Sequence, residues 1–231
     1  MASTDIRNWL SRSIHERDIT SCSTDPVPLQ WQKLRGENFN CDYTVLYRPS
    51  VASTLFQACE EEFVYNTGDL ARVQIFGKYR DIPRKQVAFG DPGLSYRFSG
   101  VEIPARPWSP LLRTIKDRIQ EVTGQEFNFV LINRYKDGLD YIGEHRDDEE
   151  GLVQNAPIAS LSLGQKRDFL FKHCDARGKY KKRVVEPIKI ELEHGSLLMM
   201  NYPTNRFWFH SLPVRKKATG ARINLTFRKM A

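Results

Sequence analysis

From residue 126 to the C-terminus the chain alternates short β-forming runs with turn-forming residues and shows no helical period between them, and this pattern limits its fold more than any other feature. The runs cover residues 127–135, 158–163, 168–173, 184–192, 196–201, 207–212 and 222–227. Parallel strands need long crossover connections, mostly helical, which these spacings do not provide. The expected core is therefore an antiparallel sandwich or jelly roll rather than a doubly wound sheet.

Ahead of that half, two segments carry apolar residues at helical spacing. Leu55, Phe56, Cys59 and Phe63 form one; Trp108, Leu111, Leu112, Ile115, Ile119 and Val122, closed by Gly124, form the other. Each is expected to lay one face on the sheet. Between them, residues 72–76 and 95–98 are strand-like and are punctuated by Gly77, Pro83, Gly90, Pro92, Gly93 and Gly100, which predicts hairpins on a lid. The class is α+β: a double-stranded β-helix (jelly-roll) core over 126–231, supporting helices before it, and a lid with its helix over 71–125. Residues 1–35 are polar, with scattered apolar positions such as Trp9, Leu10 and Ile14, and are expected to be a mobile tail ahead of a domain spanning 36–231.

A chain of 231 residues, 40% hydrophobic, suits one substantial core. No run nears eighteen apolar residues and the N-terminus lacks a signal-peptide succession, so an intracellular protein without a membrane partner is expected. Cys22, Cys41, Cys59 and Cys174 stand far apart with no Cys-x-x-Cys pair, which predicts free thiols. The net charge of +7 makes a polyanion a plausible partner. Basic residues gather at 177–183 and again at 215–217; taken alone, such runs are more often solvated loops.

The chemistry-bearing constellation is His145-Arg146-Asp147 with His210 in a later strand. Two imidazoles and a carboxylate suit iron(II) and leave coordination positions open. Residues two apart in an extended segment point the same way, so His145 and Asp147 can reach one ion. A bare His-x-Asp is weak, since chance supplies roughly 0.3 such tripeptides in a chain of this composition. The run Arg222-Ile-Asn-Leu-Thr-Phe-Arg228 strengthens it, because alternation puts Arg222, Asn224, Thr226 and Arg228 on one face. Arginines facing a β-core need partners: an acidic ligand, or Asp and Glu of neighbouring strands.

Asn133-Arg-Tyr-Lys-Asp-Gly, Gly143-Glu-His-Arg-Asp-Asp-Glu149, the Arg222–Arg228 run, Arg72-Val-Gln-Ile-Phe-Gly-Lys78, Pro83-Arg-Lys-Gln86 and His210-Ser-Leu-Pro-Val-Arg-Lys-Lys217 together resemble the AlkB family of alkylation-repair dioxygenases over roughly residues 36–230. The likeness is to the branch acting on double-stranded DNA. It implies iron(II) on His145, Asp147 and His210, and 2-oxoglutarate on Asn133, Tyr135, Arg222, Thr226 and Arg228, with dioxygen as the other co-substrate. It further implies oxidation of an N-methyl carbon of 1-methyladenine or 3-methylcytosine, with etheno adducts as further substrates. The hydroxylated carbon leaves as formaldehyde, while 2-oxoglutarate becomes succinate and carbon dioxide.

The target base would be flipped from the duplex. Phe76, with Gly77 and Lys78, would fill the gap; Tyr96, Arg97 and Phe98 would meet the flipped base; Asp148 would favour cationic lesions. Arg84, Lys172, Gly178, Lys179, Arg215, Lys216 and Lys217 would grip the DNA backbone. The same chemistry on single-stranded DNA or RNA is the alternative, and a catalytically dead binder or an oxygenase of proteins or small molecules are rivals further off. The branch implies a monomer in the nucleus, yet residues 1–35 show neither its basic import cluster nor its short clamp-binding motif, so no replication-clamp partnership is assigned. His173 and His194 have no ligand partners at suitable spacing and are expected to be structural.

Overall fold

The structure, a computed structural model, describes residues 29–75, 77–98, 101–147, 151–179 and 181–231. The elements run β1 (Gln32–Gly36), β2 (Phe39–Val45), α1 (Pro49–Glu62), β3 (Arg72–Ile75), β4 (Lys78–Asp81), β5 (Lys85–Gly90), β6 (Ser95–Phe98), β7 (Val101–Pro104), β8 (Arg106–Pro107) and α2 (Pro110–Thr123). They continue with β9 (Phe129–Tyr135), β10 (Ile142–His145), β11 (Ile158–Gly164), β12 (Arg167–His173), β13 (Ile188–Leu192), β14 (Ser196–Met200), α3 (Thr204–Phe207), β15 (Trp208–Leu212) and β16 (Arg222–Arg228). A large sheet in the order β1-β2-β14-β11-β16-β9-β5-β8 faces a smaller one, β10-β15-β12-β13, while β3-β4 and β6-β7 are separate hairpins. This is the jelly roll expected from the strand spacing.

Burial on both faces of the large sheet explains its sequence. Ile223, Leu225 and Phe227 of β16, Val130 and Ile132 of β9, and Leu161 and Leu163 of β11 face outward onto α1 and α2, where Leu55, Leu112, Ile115 and Ile119 cover them. The alternate residues face the small sheet, whose Phe169, Phe171, Trp208 and Leu212 pack with Phe39, Tyr43, Leu198 and Met200. Helix α2 starts where Pro110 supplies a preset first turn and Ser109 accepts from the Leu112 amide at 3.2 Å; it stops where Gly124 takes a φ of 65°. Among the described residues no helix is long and apolar enough to cross a membrane, and Cys41, Cys59 and Cys174 are free thiols.

Most predicted strands form within two residues of their expected ends. The run at 184–192 is the exception: its strand starts only at Ile188, because Pro187 has no N–H to give a ladder and Val184 stands exposed. Strands β1 and β2 were not anticipated. Their hairpin starts at Gln32, inside the stretch read as tail, and β2 pairs with β14 to extend the large sheet.

Gly138 joins the two loops below the smaller sheet. Its N–H donates to Ala218 O at 2.6 Å and its carbonyl accepts from the Arg215 amide at 2.7 Å. A Cβ there would lie 1.8 Å from Arg215 O and 2.6 Å from Ala218 O, both backbone atoms that cannot swing away. Gly138→Ala should therefore cost roughly 1–3 kcal/mol, lowering the melting temperature by several degrees in a thermal scan.

Candidate active site

Register brings the predicted ligands together. Strand β10 pairs antiparallel with β15 so that His145 lies opposite His210, their rings 4.3 Å apart at 65°. The chain then leaves β10, and Asp147 turns its carboxylate between them: Oδ1 is 3.6 Å from His145 Nε2 and 3.7 Å from His210 Nε2. A first-row ion with bonds of about 2.0–2.2 Å draws ligand atoms to roughly 3 Å apart, so small side-chain rotations complete a three-ligand site. The His145 Nδ1–H donates to Gly143 O at 2.9 Å, which leaves Nε2 as the lone pair facing the centre. Burial and the neighbouring His210 bring His145 down to about 4, so its imidazole is neutral, the ligating form, at physiological pH.

Helix α3 secures the carboxylate. Asn205 accepts from the Asp147 amide at 3.0 Å and donates back to the Asp147 carbonyl, so one side-chain amide holds both ends of that peptide position. Burial alone would raise the Asp147 carboxyl. Arg228, whose Nη2 is 3.0 Å from Oδ2, and the two imidazoles instead hold it well below the usual carboxylate range.

The wall beside this triad is the inner face of the large sheet, and pairing sorts it into rows. Tyr135 lies opposite Arg222; Gln86, Asn133, Asn224 and Ser162 form the next row across four strands; Leu131, Thr226 and Ser160 the next; Phe129 and Arg228 the last. All five predicted co-substrate residues line one cavity with His145, Asp147 and His210. Arg228 meets the expectation of a carboxylate partner through Asp147. Arg222 does not: it is 1% exposed, donates to Ser162 Oγ at 2.9 Å, and sits 5.4 Å from the Tyr135 ring, with no carboxylate among the described residues. Its Nε is buried with no hydrogen-bond partner. Burial lowers its pKa only to about 10, so it stays charged. A buried cation lacking a counter-charge is costly, and a dicarboxylate supplies the missing charge. The residues present thus fit both an iron(II) ion and 2-oxoglutarate.

The remaining predicted residues divide. Tyr96 lines the cavity, buried, its ring stacked on Phe129 at 6.2 Å and 5.5 Å from the Arg228 guanidinium. Arg97 is exposed and 3.9 Å from Glu102, while Gly77, at a φ of 75°, turns the β3–β4 hairpin ahead of exposed Lys78. Phe76, Asp148 and the side chain of Phe98 lie outside the described residues. Arg84 is a correction: it was expected on the DNA backbone, but it is buried in the cavity wall, its Nε donating to Asn133 Oδ1 at 2.8 Å. Lys172 is 3.5 Å from Glu144, and Gly178 and Lys179 are exposed in the loop beyond β12. Arg215 donates to Asp168 at 2.6 Å beside exposed Lys216 and Lys217.

His194 accepts from the Gly164 amide at 2.8 Å, a structural role. His173 lies close to Cys174 and Asp175, but that carboxylate is already bound by Arg183 at 3.0 Å.

Several site residues escaped the sequence reading. Gln86, Ser160 and Ser162 complete the polar rows. Just before His210, Phe209 packs against Arg177 at 3.5 Å and Arg146 at 4.7 Å, and Arg177 also pairs with Glu144 at 2.7 Å. Arg167 is buried; among the described residues its hydrogen bonds go to backbone carbonyls, those of Asp137, Asp140 and Pro213, and its guanidinium lies 6.0 Å from the Tyr135 ring. Its inward direction was available from strand alternation with Phe169 and Phe171.

Two substitutions separate ligand from support. Asp147→Asn should weaken Mn(II) binding more than about 100-fold in calorimetric titration, while Asn205→Ala, which spares all three ligands, should cost about 10- to 100-fold.

The family model described as the 2OG-Fe(II) oxygenase superfamily matches residues 45–228. The DNA oxidative demethylase ALKBH2 of Bos taurus is 56% identical over 89% of this chain and 74% of its own length; that of Mus musculus is 52% identical over 93% and 94%. The alpha-ketoglutarate-dependent dioxygenase alkB homolog 3 of Homo sapiens is 39% identical over 63% of this chain and 51% of its own. Among solved structures, that of OsALKBH1 shares the fold at a TM-score of 0.54 and 18% identity, covering 87% of this chain and all of that one. The chain belongs to the 2OG-Fe(II) oxygenase superfamily and, within it, to the AlkB family of dioxygenases that use iron(II), 2-oxoglutarate and dioxygen.

Proposed function

We propose that this dioxygenase oxidatively removes alkyl groups from damaged bases in double-stranded DNA, taking each base flipped out of the duplex. The observation that carries the reading is a preformed triad lining one cavity with Arg222, a buried cation with no carboxylate among the described residues, in a chain 56% identical to a DNA oxidative demethylase. His145, Asp147 and His210 would hold the iron, and Arg222, steadied by Ser162 and Tyr135, would take the distal carboxylate of 2-oxoglutarate. Asn133, Thr226 and Arg228 would orient its keto-acid end toward the metal. When bound, iron and 2-oxoglutarate activate dioxygen, one oxygen atom ending in succinate as carbon dioxide leaves and the other as hydroxyl on the alkyl carbon. A methyl group so hydroxylated departs as formaldehyde: the N–C bond breaks, its electron pair returns to the ring nitrogen and restores the neutral base, and the hydroxyl proton is released.

Tyr96 offers a flipped base an aromatic wall inside the cavity. The β3–β4 hairpin, with Phe76 and Gly77 between its strands and Lys78, Tyr79 and Arg80 exposed, supports the duplex reading: an inserted side chain fills the gap that flipping leaves. Lys172 and Lys179 at one end of β12, and Lys216 and Lys217 at the other, would bear on phosphates without reading sequence.

Incubated with iron(II), 2-oxoglutarate and a duplex carrying 1-methyladenine or 3-methylcytosine, the protein should release formaldehyde and return the unmodified base by mass spectrometry. A folded, metal-loaded sample that does neither overturns the reading. Phe76→Ala should lower repair in a duplex far more than in a single strand; equal losses would place the activity on single strands instead. Arg222→Met should raise the KM for 2-oxoglutarate by about 30-fold or more, the scale of a lost charge-assisted pair.

A further inference from the structure

We propose that Gln86 and Arg84 are positioning residues that lock the side-chain amide of Asn133, so that it presents only N–H to bound 2-oxoglutarate. An asparagine amide has an acceptor end and a donor end, and its neighbours decide which way it turns. Gln86 Nε2 and Arg84 Nε both donate to Asn133 Oδ1, each at 2.8 Å. Gln86 stands directly opposite Asn133 in the β5–β9 ladder, and all three side chains are buried. An inverted amide would set its NH2 against the Arg84 Nε–H, which has no acceptor to offer, and could be met by Gln86 only if that amide, whose Oε1 is otherwise unbonded, turned over as well.

With Oδ1 occupied, Asn133 Nδ2 has no acceptor among the described residues, and Asn133 lines the cavity. Asn224, its neighbour in the same row, shows the opposite arrangement. That amide donates to Ser160 Oγ at 2.8 Å and Leu161 O at 2.9 Å and accepts from Thr226 Oγ1 at 3.3 Å, so it is spent within the sheet. Of two asparagines side by side, one is satisfied by protein and the other is left with a donor facing the cavity. Together with Arg222 this makes a wall that offers donors to a carboxylate.

The inference rests on the reading that Asn133 touches 2-oxoglutarate, and three variants separate the two. Dissociation constants for 2-oxoglutarate are measured calorimetrically on the full chain loaded with Mn(II), without oxygen, alongside melting temperatures and affinity for methylated duplex. Gln86→Glu, nearly the same size, places an acceptor against Oδ1 and turns the amide over; affinity for 2-oxoglutarate should fall about 30-fold or more. Gln86→Leu removes one donor and leaves Arg84 in place, so the loss should be only about three- to tenfold. Asn133→Asp keeps both incoming bonds, replaces the inward N–H by a carboxylate oxygen and adds a negative charge, and should lose at least as much as Gln86→Glu, which adds the same charge one side chain further back. Duplex affinity should hold in all three.

A purely structural role for Gln86 predicts the reverse order, with leucine at least as harmful as glutamate and the melting temperature tracking the loss; that order overturns the proposal. Wild-type affinity in Asn133→Asp overturns both the proposal and the reading beneath it. Loss in Asn133→Asp with wild-type affinity in Gln86→Glu overturns the positioning role alone. Should Gln86→Glu fail to fold, Gln86→Leu carries the test of the positioning role: about a three- to tenfold loss of affinity at unchanged melting temperature supports it, and wild-type affinity overturns it.

Discussion

The buried pair between Arg228 and Asp147 joins the two halves of the catalytic apparatus. Arg228 closes β16 near the middle of the large sheet, and Asp147 follows the strand that carries His145 on the small one. Neither group would be buried at low cost without the other. Their contact draws the metal-binding segment onto the co-substrate wall and keeps the carboxylate ionised, as a metal ligand must be. Asn205 then fixes the peptide behind that carboxylate, so charge and backbone are held from opposite sides.

Strand β16 performs two tasks with one alternating sequence. Ile223, Leu225 and Phe227 build the core under the helices, while Arg222, Asn224, Thr226 and Arg228 line the cavity. A pleated strand separates these sets by its period of two, so the polar set can be costly to bury without disturbing the apolar one. The cost falls unevenly along the polar face. Arg228 finds Asp147 and Asn224 finds Ser160, whereas Arg222, among the described residues, finds a hydroxyl and a ring but no carboxylate.

The jelly roll and its supporting helices were legible because strand runs and helical faces are local patterns. The three metal ligands and the arginine strand were legible from alternation joined to motif likeness. What escaped was set by partners far away in the chain. Strand β2 has a plain alternation of Phe39, Cys41 and Tyr43, but its place beside β14 depends on a pairing more than 150 residues distant. Arg84 shows the same limit: its motif pointed toward DNA, while the β5–β9 pairing turns it into the wall behind Asn133. Alternation with Phe169 and Phe171 gives the inward direction of Arg167 but not its partners, because backbone carbonyls carry no signature in side-chain sequence.

That buried arginine has a mechanical meaning. Its guanidinium holds carbonyls from the loop after β9, which carries Asn133 and Tyr135, and from the segment after β15, which carries His210. One side chain thus pins the ends of two strands that belong to different sheets, β9 of the large one and β15 of the small one. Its loss would leave three backbone carbonyls on two separate segments without their shared donor at once.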